Sequence, residues 1–294
     1  MRSTFAVCLA AGLLALCLLG ASARRVSAQP ALDEDTRFRP DEVFESFEKA
    51  FAAPSKVKRL VVQAEDPRMK HLPARLGSLF NLQVLELSCL ENLEDLPAEI
   101  GRLRKLEELI IDNGNGCRMN VSLPASVGQL VNLRVLRLYG ALDPREDVFG
   151  APSRRARSKP LPHTLANLRN LQELDLGRNG LRSVPAQVAS LRRLKRLGLD
   201  YNDLREVPSF VGDLTSLEEL SLRSNGGVGL PASLARVKGL RVALGNNRLT
   251  LRDQRNLRRR FPNLVFSFEN EFDDHAANEE ATSPRPTTRR GRRR

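Results

Sequence analysis

The chain has 294 residues, of which 41% are hydrophobic, yet it contains no tryptophan and only 5% aromatic residues. Much of its formal net charge of +12 comes from the ends of the chain, so the central part is only mildly basic. This composition argues against a globular enzyme, and the charge distribution argues against a specific nucleic-acid partner.

The first 28 residues predict an export signal. Arg2 precedes an apolar run from Phe5 to Gly20, and the small-residue triplets Ala21-Ser22-Ala23 and Val26-Ser27-Ala28 both fit a cleavage site. We therefore expect residues 1–28 to be a signal peptide and the protein to be secreted, periplasmic or on the cell surface. Cleavage after Ala28 would leave a net charge of +9.

The alternative is an uncleaved membrane anchor. Phe5 to Ala23 is long enough to span a bilayer, and Arg24-Arg25 could stop transfer. We expect any membrane contact to be made only through this segment.

Residues 29–39 are polar and charged, and this composition predicts a mobile leader. Pro40-Asp41-Glu42 then favours the start of a helix, because proline and acidic residues suit a first turn. Phe44, Phe47 and Phe51 would form its apolar face before Pro54 ends it. Residues 40–56 are therefore predicted to be a helical cap over the end of a repeat domain.

A repeat organises the chain from residue 57 onward. Leu-Pro or Val-Pro steps begin at residues 72, 96, 123, 161, 184, 207 and 230, and three 23-residue units align without a gap between Leu161 and Pro231. Each unit reads Leu/Val-Pro-x-x-Φ-x-x-Leu-x-x-Leu-x-x-Leu-x-Leu-x-x-Asn, where Φ is apolar. Such a period is typical of a solenoid, in which stacked units bury a continuous core.

This pattern resembles the leucine-rich repeat family, in the variety with a Leu-Pro step and 23-residue units, as found in exported bacterial members. The resemblance covers Val57 to Phe268 and implies an α/β fold, a curved solenoid used for recognition. We expect one short parallel strand per repeat on its concave face and helical or irregular turns on its convex face.

The residues support the same fold directly. Leu174 and Leu176 alternate with Asp175, as in a strand with one buried face. Asn179, Asn202 and Asn225 recur at the turn after each strand and should stack as a ladder that bonds backbone groups.

The first half of the repeat region breaks the pattern. Leu90, Gly114 and Ala141 stand where the ladder asparagines should be, and extra residues begin at each of these points, the longest being the insertion 141–160. Since equivalent positions of a solenoid lie side by side, the three insertions should cluster on one rim. Insertions on one face often mark a binding side. The alternative is neutral loop growth, because long surface loops cost little free energy.

Cys89 and Cys117 remain after the predicted signal and belong to this rim in adjacent repeats. Neighbouring strands are about 4.8 Å apart, close enough for a disulfide. We predict a Cys89–Cys117 disulfide; the alternative is that Cys89 packs as a small apolar residue.

The repeat domain is predicted to end at residue 274. One residue is missing between Leu240 and Asn247, which leaves the register there open. Residues 253–260 predict a helix, and Pro262 to Phe268 a final strand that caps the core. Residues 275–294 predict a disordered basic tail.

Catalytic patterns are missing from the sequence. The three histidines lack metal-ligand spacing, and no nucleophile elbow or phosphate loop is present. We expect no enzymatic activity, no cofactor and no metal site.

The strand residues that alternate with the leucines predict a binding face. Its richest patch lies in the middle of the arc, beside the long insertion, and Tyr and Arg are common interface anchors. The predicted ligand-binding residues are Arg137, Tyr139, Asp175, Arg178, Asp200 and Tyr201.

These features predict a monomeric, non-enzymatic exported protein that binds a protein or cell-envelope polymer. The alternative is a structural envelope protein held to anionic surfaces by its Arg-rich tail.

Overall fold

The computed structural model of the chain describes residues 37–63, 69–112, 119–142 and 158–269. The predicted signal peptide, most of the leader, Cys117, the inner part of the long insertion and the basic tail lie outside the described residues. Residues 1–39 and 40–294 form two separate units. In the first, the guanidinium carbon of Arg37 lies 4.9 Å from the ring centroid of Phe38.

The second unit is built on one parallel sheet of ten strands that follow one another in sequence order. The strands are β1 (Val43–Phe44), β2 (Arg59–Gln63), β3 (Val84–Ser88), β4 (Glu108–Asp112), β5 (Val135–Arg137), β6 (Glu173–Asp175), β7 (Arg196–Gly198), β8 (Glu219–Ser221), β9 (Arg241–Ala243) and β10 (Val265–Ser267). One strand per repeat in strict order makes this unit a curved solenoid, as the repeat predicts.

Leucines stacked in register hold the strands together. Leu136, Leu174, Leu197, Leu220 and Val242 are direct strand partners, and each is at most 1% exposed. Because every repeat places an apolar side chain at this level, the core continues across the insertions.

Short 3₁₀ turns return the chain from one strand to the next on the convex side. They cover Ala74–Ser78, Ala98–Arg102, Ala125–Gln129, His163–Asn167, Ala186–Ser190, Ser209–Asp213 and Ala232–Arg236. In each, the proline of the Leu/Val-Pro step stands immediately before the turn, and its carbonyl accepts the first turn hydrogen bond, as Pro185 does from Val188 N at 3.1 Å.

The predicted asparagine ladder is confirmed. Asn202 is 5% exposed, and its Oδ1 accepts hydrogen bonds from the N–H groups of Asn179 and Leu181 at 3.1 and 2.9 Å. Its Nδ2 donates to the carbonyls of Leu176 and Leu199 at 3.0 and 2.9 Å. Each asparagine therefore joins its own repeat to the one before it.

The ladder and sheet also settle the register of the shortened repeat. β9 pairs with β8 residue for residue, and Asn247 Oδ1 accepts from Asn225 N at 2.9 Å. The missing residue is absorbed where the chain enters β9: Leu240 stands one residue before Arg241, whereas Leu217 stands two residues before the partner residue Glu219.

The amino-terminal cap differs from its prediction. Its helix, α1 (Phe47–Ala52), begins at Phe47 rather than at Pro40. Pro40–Glu42 is a 3₁₀ turn, and β1 follows it and pairs with β2. The backbone of 43–44 is thus used by the sheet, and Ser46 Oγ caps α1 by accepting from Lys49 N at 3.3 Å.

The apolar face predicted for this cap is only partly helical, because Phe47 and Phe51 lie on α1 but Phe44 lies on β1. Phe47 is buried, and Phe44 and Phe51 pack partly buried against the core.

A second helix and β10 end the repeat unit. Helix α2 spans Leu251–Arg260, and Thr250 and Asp253 form a capping box at its start. Phe261 is 1% exposed, and Leu257 packs against the same core. The predicted helix and terminal strand are therefore confirmed.

Candidate functional site

The six predicted binding residues lie in three consecutive repeats, around β5, β6 and β7. Their side chains stand on the concave face, defined here as the sheet face opposite the buried leucines. Arg137 is the direct strand partner of Asp175, and Arg178 N donates to Asp200 O at 2.8 Å in the next repeat. The structure thus brings the predicted residues together, and ligand binding by them remains a prediction.

Gly177 has no side chain, and this leaves room for the ring of Tyr139 to lie against the sheet. A Cβ placed on Gly177 would lie only 2.8 Å from Cδ2 and Cε2 of Tyr139. Burial of the ring raises the pKa of the Tyr139 phenol well above its usual range, and Tyr201 adds to this effect. The phenol therefore stays neutral and can act as donor or acceptor at any physiological pH.

Asp175 occupies a similar space above Gly198. A Cβ on Gly198 would lie 2.7 Å from Asp175 Oδ1, and that oxygen accepts a hydrogen bond from Gly177 N at 2.8 Å. Burial raises the pKa of Asp175 to about 6, and the negative charges of Asp200 and Glu173 contribute to the rise.

Asp200 is fixed by the following repeat. Its Oδ1 accepts hydrogen bonds from Ser221 Oγ at 2.6 Å and from Arg223 N at 2.7 Å, and its Oδ2 lies 3.7 Å from Arg223 Nη1. Asp200 thus presents a preorganised negative charge beside Asp175.

Glu173 is the main residue that sequence reasoning missed. Its side chain is 10% exposed, it accepts from Arg137 Nε at 2.6 Å and from Arg196 Nε at 2.7 Å, and so it bridges two strands. Burial alone would raise its pKa, but the charge of Arg137 and the hydrogen bonds from both arginines lower it below the usual range. Arg137 is thus held in place by Glu173.

The sequence does carry a signal for this network. Glu173, Arg196, Glu219 and Arg241 occupy equivalent positions in successive repeats and alternate in sign. Opposite charges one period apart predict cross-strand ion pairs in a solenoid.

Arg178 and Tyr201 share an unusual backbone conformation. Their φ angles are +56° and +55°, and the residue before the ladder position is left-handed in several other repeats as well. These further residues are Cys89, Gly140, Ser224 and Asn246. For a non-glycine residue this conformation costs about 1 kcal/mol, and it turns the chain from the strand into the ladder.

The described ends of the three insertions meet on one rim, at the carboxyl ends of the strands. Lys159 N donates to Leu142 O at 3.0 Å and closes the base of the long insertion. Lys159 Nζ also donates to Glu94 O at 2.9 Å and to Asn120 O at 2.6 Å, next to the first and second insertions.

Cys89 also lies on this rim and is disulfide-bonded. Its partner falls outside the described residues, so the pairing with Cys117 remains a proposal. Leu90 and Ala141 are buried where other repeats place asparagine, and apolar packing replaces the ladder there.

Neither a metal cluster nor a membrane helix occurs in the described part of the chain. In residues 37–63, 69–112, 119–142 and 158–269, no group of three or more His, Cys, Asp or Glu could hold a metal ion. No helix within those ranges is long and apolar enough to cross a bilayer.

In a comparison with protein families, residues 153–256 match a leucine-rich repeat region. No curated protein matches the sequence at a significant level.

Several solved structures resemble the chain at low identity. A leucine-rich repeat protein of Leptospira interrogans is 24% identical, with a TM-score of 0.49 over 78% of this chain and 64% of that one. A TDR receptor is 20% identical, with a TM-score of 0.46 over 70% of this chain and 33% of the receptor. Internalin C2 of Listeria monocytogenes is 21% identical, with a TM-score of 0.42 over 66% of this chain and 83% of its own. The chain therefore spans less than two thirds of the length of the first two.

Proposed function

Since this chain is a leucine-rich repeat protein, we propose that it is a non-enzymatic binding protein whose partner is a protein or cell-envelope polymer. The observation that carries the proposal is the fixed cluster of Tyr139, Asp175 and Asp200 on the concave face. Two glycines make room for the first two side chains, and the next repeat holds the third. Side chains held before binding lose less entropy when a partner docks.

The chemistry of the cluster favours a protein or polymer surface with mixed polarity. Tyr139 and Tyr201 offer aromatic area with a polar tip, and Arg178 offers a cation near Tyr139. Tyr and Arg dominate the energetics of many protein interfaces. The insertion rim, with Lys159 at its base, lies on the carboxyl-end side of this cluster and extends the proposed surface.

Affinity capture with the full chain tests this function. We expect a partner recovered by the wild type to be lost from the Tyr139→Ala/Tyr201→Ala variant and reduced by deletion of residues 144–156. Unchanged recovery of the partner by both variants would contradict the concave cluster as the binding site.

We also propose that the protein is exported. The support is the sequence of residues 1–28, with two small-residue triplets after an apolar run. Mass spectrometry of the amino terminus should find a mature protein beginning at Arg24 or Gln29. An intact Met1 in the exported fraction would instead indicate the uncleaved anchor.

A second candidate function, a structural envelope protein held to anionic surfaces, is favoured by α2. This helix exposes five arginines, and its one acidic residue, Asp253, is bound to Thr250. The Arg-rich tail would add to that charge. Deleting residues 287–294 should lower retention on anionic surfaces at low salt, and retention that persists in 1 M NaCl would contradict this candidate.

A further inference from the structure

A polar groove lies on the opposite rim of the solenoid, at the amino-terminal ends of β3 to β7. It has a volume of about 400 Å³ and is lined by three basic residues, four amides and one acid. These are Lys105, Arg134, Arg193, Gln83, Asn132, Asn170, Gln172 and Glu107. Five strands at about 4.8 Å spacing give the groove a length of roughly 19 Å.

Two of the basic residues are positioned by asparagines of the preceding repeat. Asn81 Nδ2 donates to Ser55 O at 2.7 Å, and its Oδ1 accepts from Lys105 Nζ at 2.8 Å. Asn170 repeats this arrangement: its Nδ2 donates to Val131 O at 2.8 Å and its Oδ1 accepts from Arg193 Nη1 at 2.7 Å.

These contacts fix the cations without neutralising them. An ammonium group has three donors and a guanidinium five, so both Lys105 and Arg193 keep N–H groups for a ligand. Arg134 has one acidic neighbour, Glu107, at 3.9 Å, and its side chain is 61% exposed. The groove therefore carries excess positive charge, with three basic residues and one acid spread over five consecutive repeats.

The lining indicates what kind of anion would fit. No apolar or aromatic side chain is present among the described residues that line the groove, whereas protein interfaces are centred on such residues and single-stranded nucleic acids stack on aromatics. The amides of Gln83 and Gln172 can each donate to and accept from hydroxyl groups.

From this geometry we propose that the amino-terminal groove binds an anionic polysaccharide. The cations of Lys105, Arg134 and Arg193 contact its acidic groups, and the amides contact its hydroxyls. This site is distinct from the concave cluster and adds a second ligand to the proposed function.

Binding of the full chain to polygalacturonate, dextran sulfate and neutral dextran tests the proposal. We expect the wild type to bind one or both acidic polymers and not dextran, and the relative affinities to distinguish carboxylate from sulfate. Lys105→Gln/Arg134→Gln/Arg193→Gln should weaken binding at least about tenfold.

A matched control removes the same charge elsewhere. Lys49→Gln/Arg102→Gln/Lys238→Gln should leave the affinity within about twofold, because these three exposed side chains do not line the groove. Gln83→Ala/Gln172→Ala leaves the net charge unchanged and should still weaken binding several-fold.

Three results would overturn the proposal. They are no binding to either acidic polymer, equal losses in the groove and control triple variants, and binding of poly-glutamate as tight as that of the polysaccharides. The last would assign the groove to acidic peptides. Circular dichroism of each variant checks that the repeat fold is retained.

Discussion

The ring of Tyr139 lies where a side chain at Gly177 would stand. The two residues are separated by the long insertion in sequence but belong to adjacent repeats, and Gly140 N donates to Gly177 O at 2.9 Å beside them. The concave cluster thus depends on a missing side chain as much as on the residues that would touch a partner.

Substituting Gly177→Ala should displace Tyr139 toward solvent, because the new Cβ would be 2.8 Å from the ring. The chain has two tyrosines and no tryptophan, so tyrosine fluorescence reports on Tyr139 and Tyr201 alone. We expect acrylamide to quench this fluorescence more strongly in the variant than in the wild type.

Gly229→Ala is the matched control for that change. Its Cβ would meet the nearest atom at 3.6 Å, an ordinary contact. Equal quenching in Gly177→Ala, Gly229→Ala and the wild type would contradict the packing of Tyr139 described above.

Removing the side-chain amide of one ladder asparagine should destabilise the whole repeat domain. Asn202→Ala would leave buried backbone donors and acceptors of two repeats without partners, at a cost of about 2–4 kcal/mol. The midpoint of urea unfolding should fall accordingly. Asn256→Ala, on the exposed side of α2, should change the midpoint little, and a similar fall in both variants would argue against the ladder as the source.

Stability should fall as the pH rises past the pKa of Asp175. That pKa is about 6, above its ordinary value of 3.8, because burial disfavours the carboxylate. The folded protein therefore binds the proton more tightly than the unfolded chain. The stability gained is fully present below about pH 4 and is lost as the pH rises through 6.

Asp175→Asn should remove this dependence while keeping an oxygen for the N–H of Gly177. We expect the free energy of unfolding of the variant, relative to the wild type, to increase between pH 4 and pH 7 by on the order of 2 kcal/mol. Urea unfolding at pH 4, 5, 6 and 7 measures it. A difference that stays constant with pH would show that Asp175 does not titrate in this range.

The proposed Cys89–Cys117 disulfide should add stability on the insertion rim. A loop of this length predicts about 3 kcal/mol, so reduction should lower the urea midpoint of the wild type but not of Cys89→Ser. Alkylation under denaturing, non-reducing conditions should label neither thiol of the mature protein. Labelling of both thiols would contradict a Cys89–Cys117 disulfide.

The repeat explains why so much of the fold could be predicted from sequence. Leu174 and Asn179 recur at a fixed period, and stacking places equivalent residues side by side whatever lies between them. The same logic placed Arg137 beside Asp175 and the three insertions on one rim. It also explains Asn247, whose place in the ladder is kept because the lost residue falls before β9 and leaves the strand register unchanged.

Other features depend on contacts that no period encodes. β1 is two residues long and pairs with the edge of β2, so the helix predicted to run on from Pro40 is interrupted after the 3₁₀ turn Pro40–Glu42. The period predicts the pairing of Glu173 with Arg196, but not its contact with Arg137, since Val135 is the direct partner of Glu173 on β5. The groove holding Lys105 and Arg193 depends on hydrogen bonds to Asn81 and Asn170 of the preceding repeats.

The most direct test of binding through the concave cluster is photo-crosslinking from inside it. Tyr201→p-benzoylphenylalanine places the reactive group beside Tyr139 and Arg178, and Phe80→p-benzoylphenylalanine places it at an exposed aromatic position outside the cluster, where Phe80 is 55% exposed. We predict a covalent adduct with the captured partner from position 201 and none from position 80. Adducts from position 80 alone, or equal yields from both, would contradict the concave cluster as the binding site.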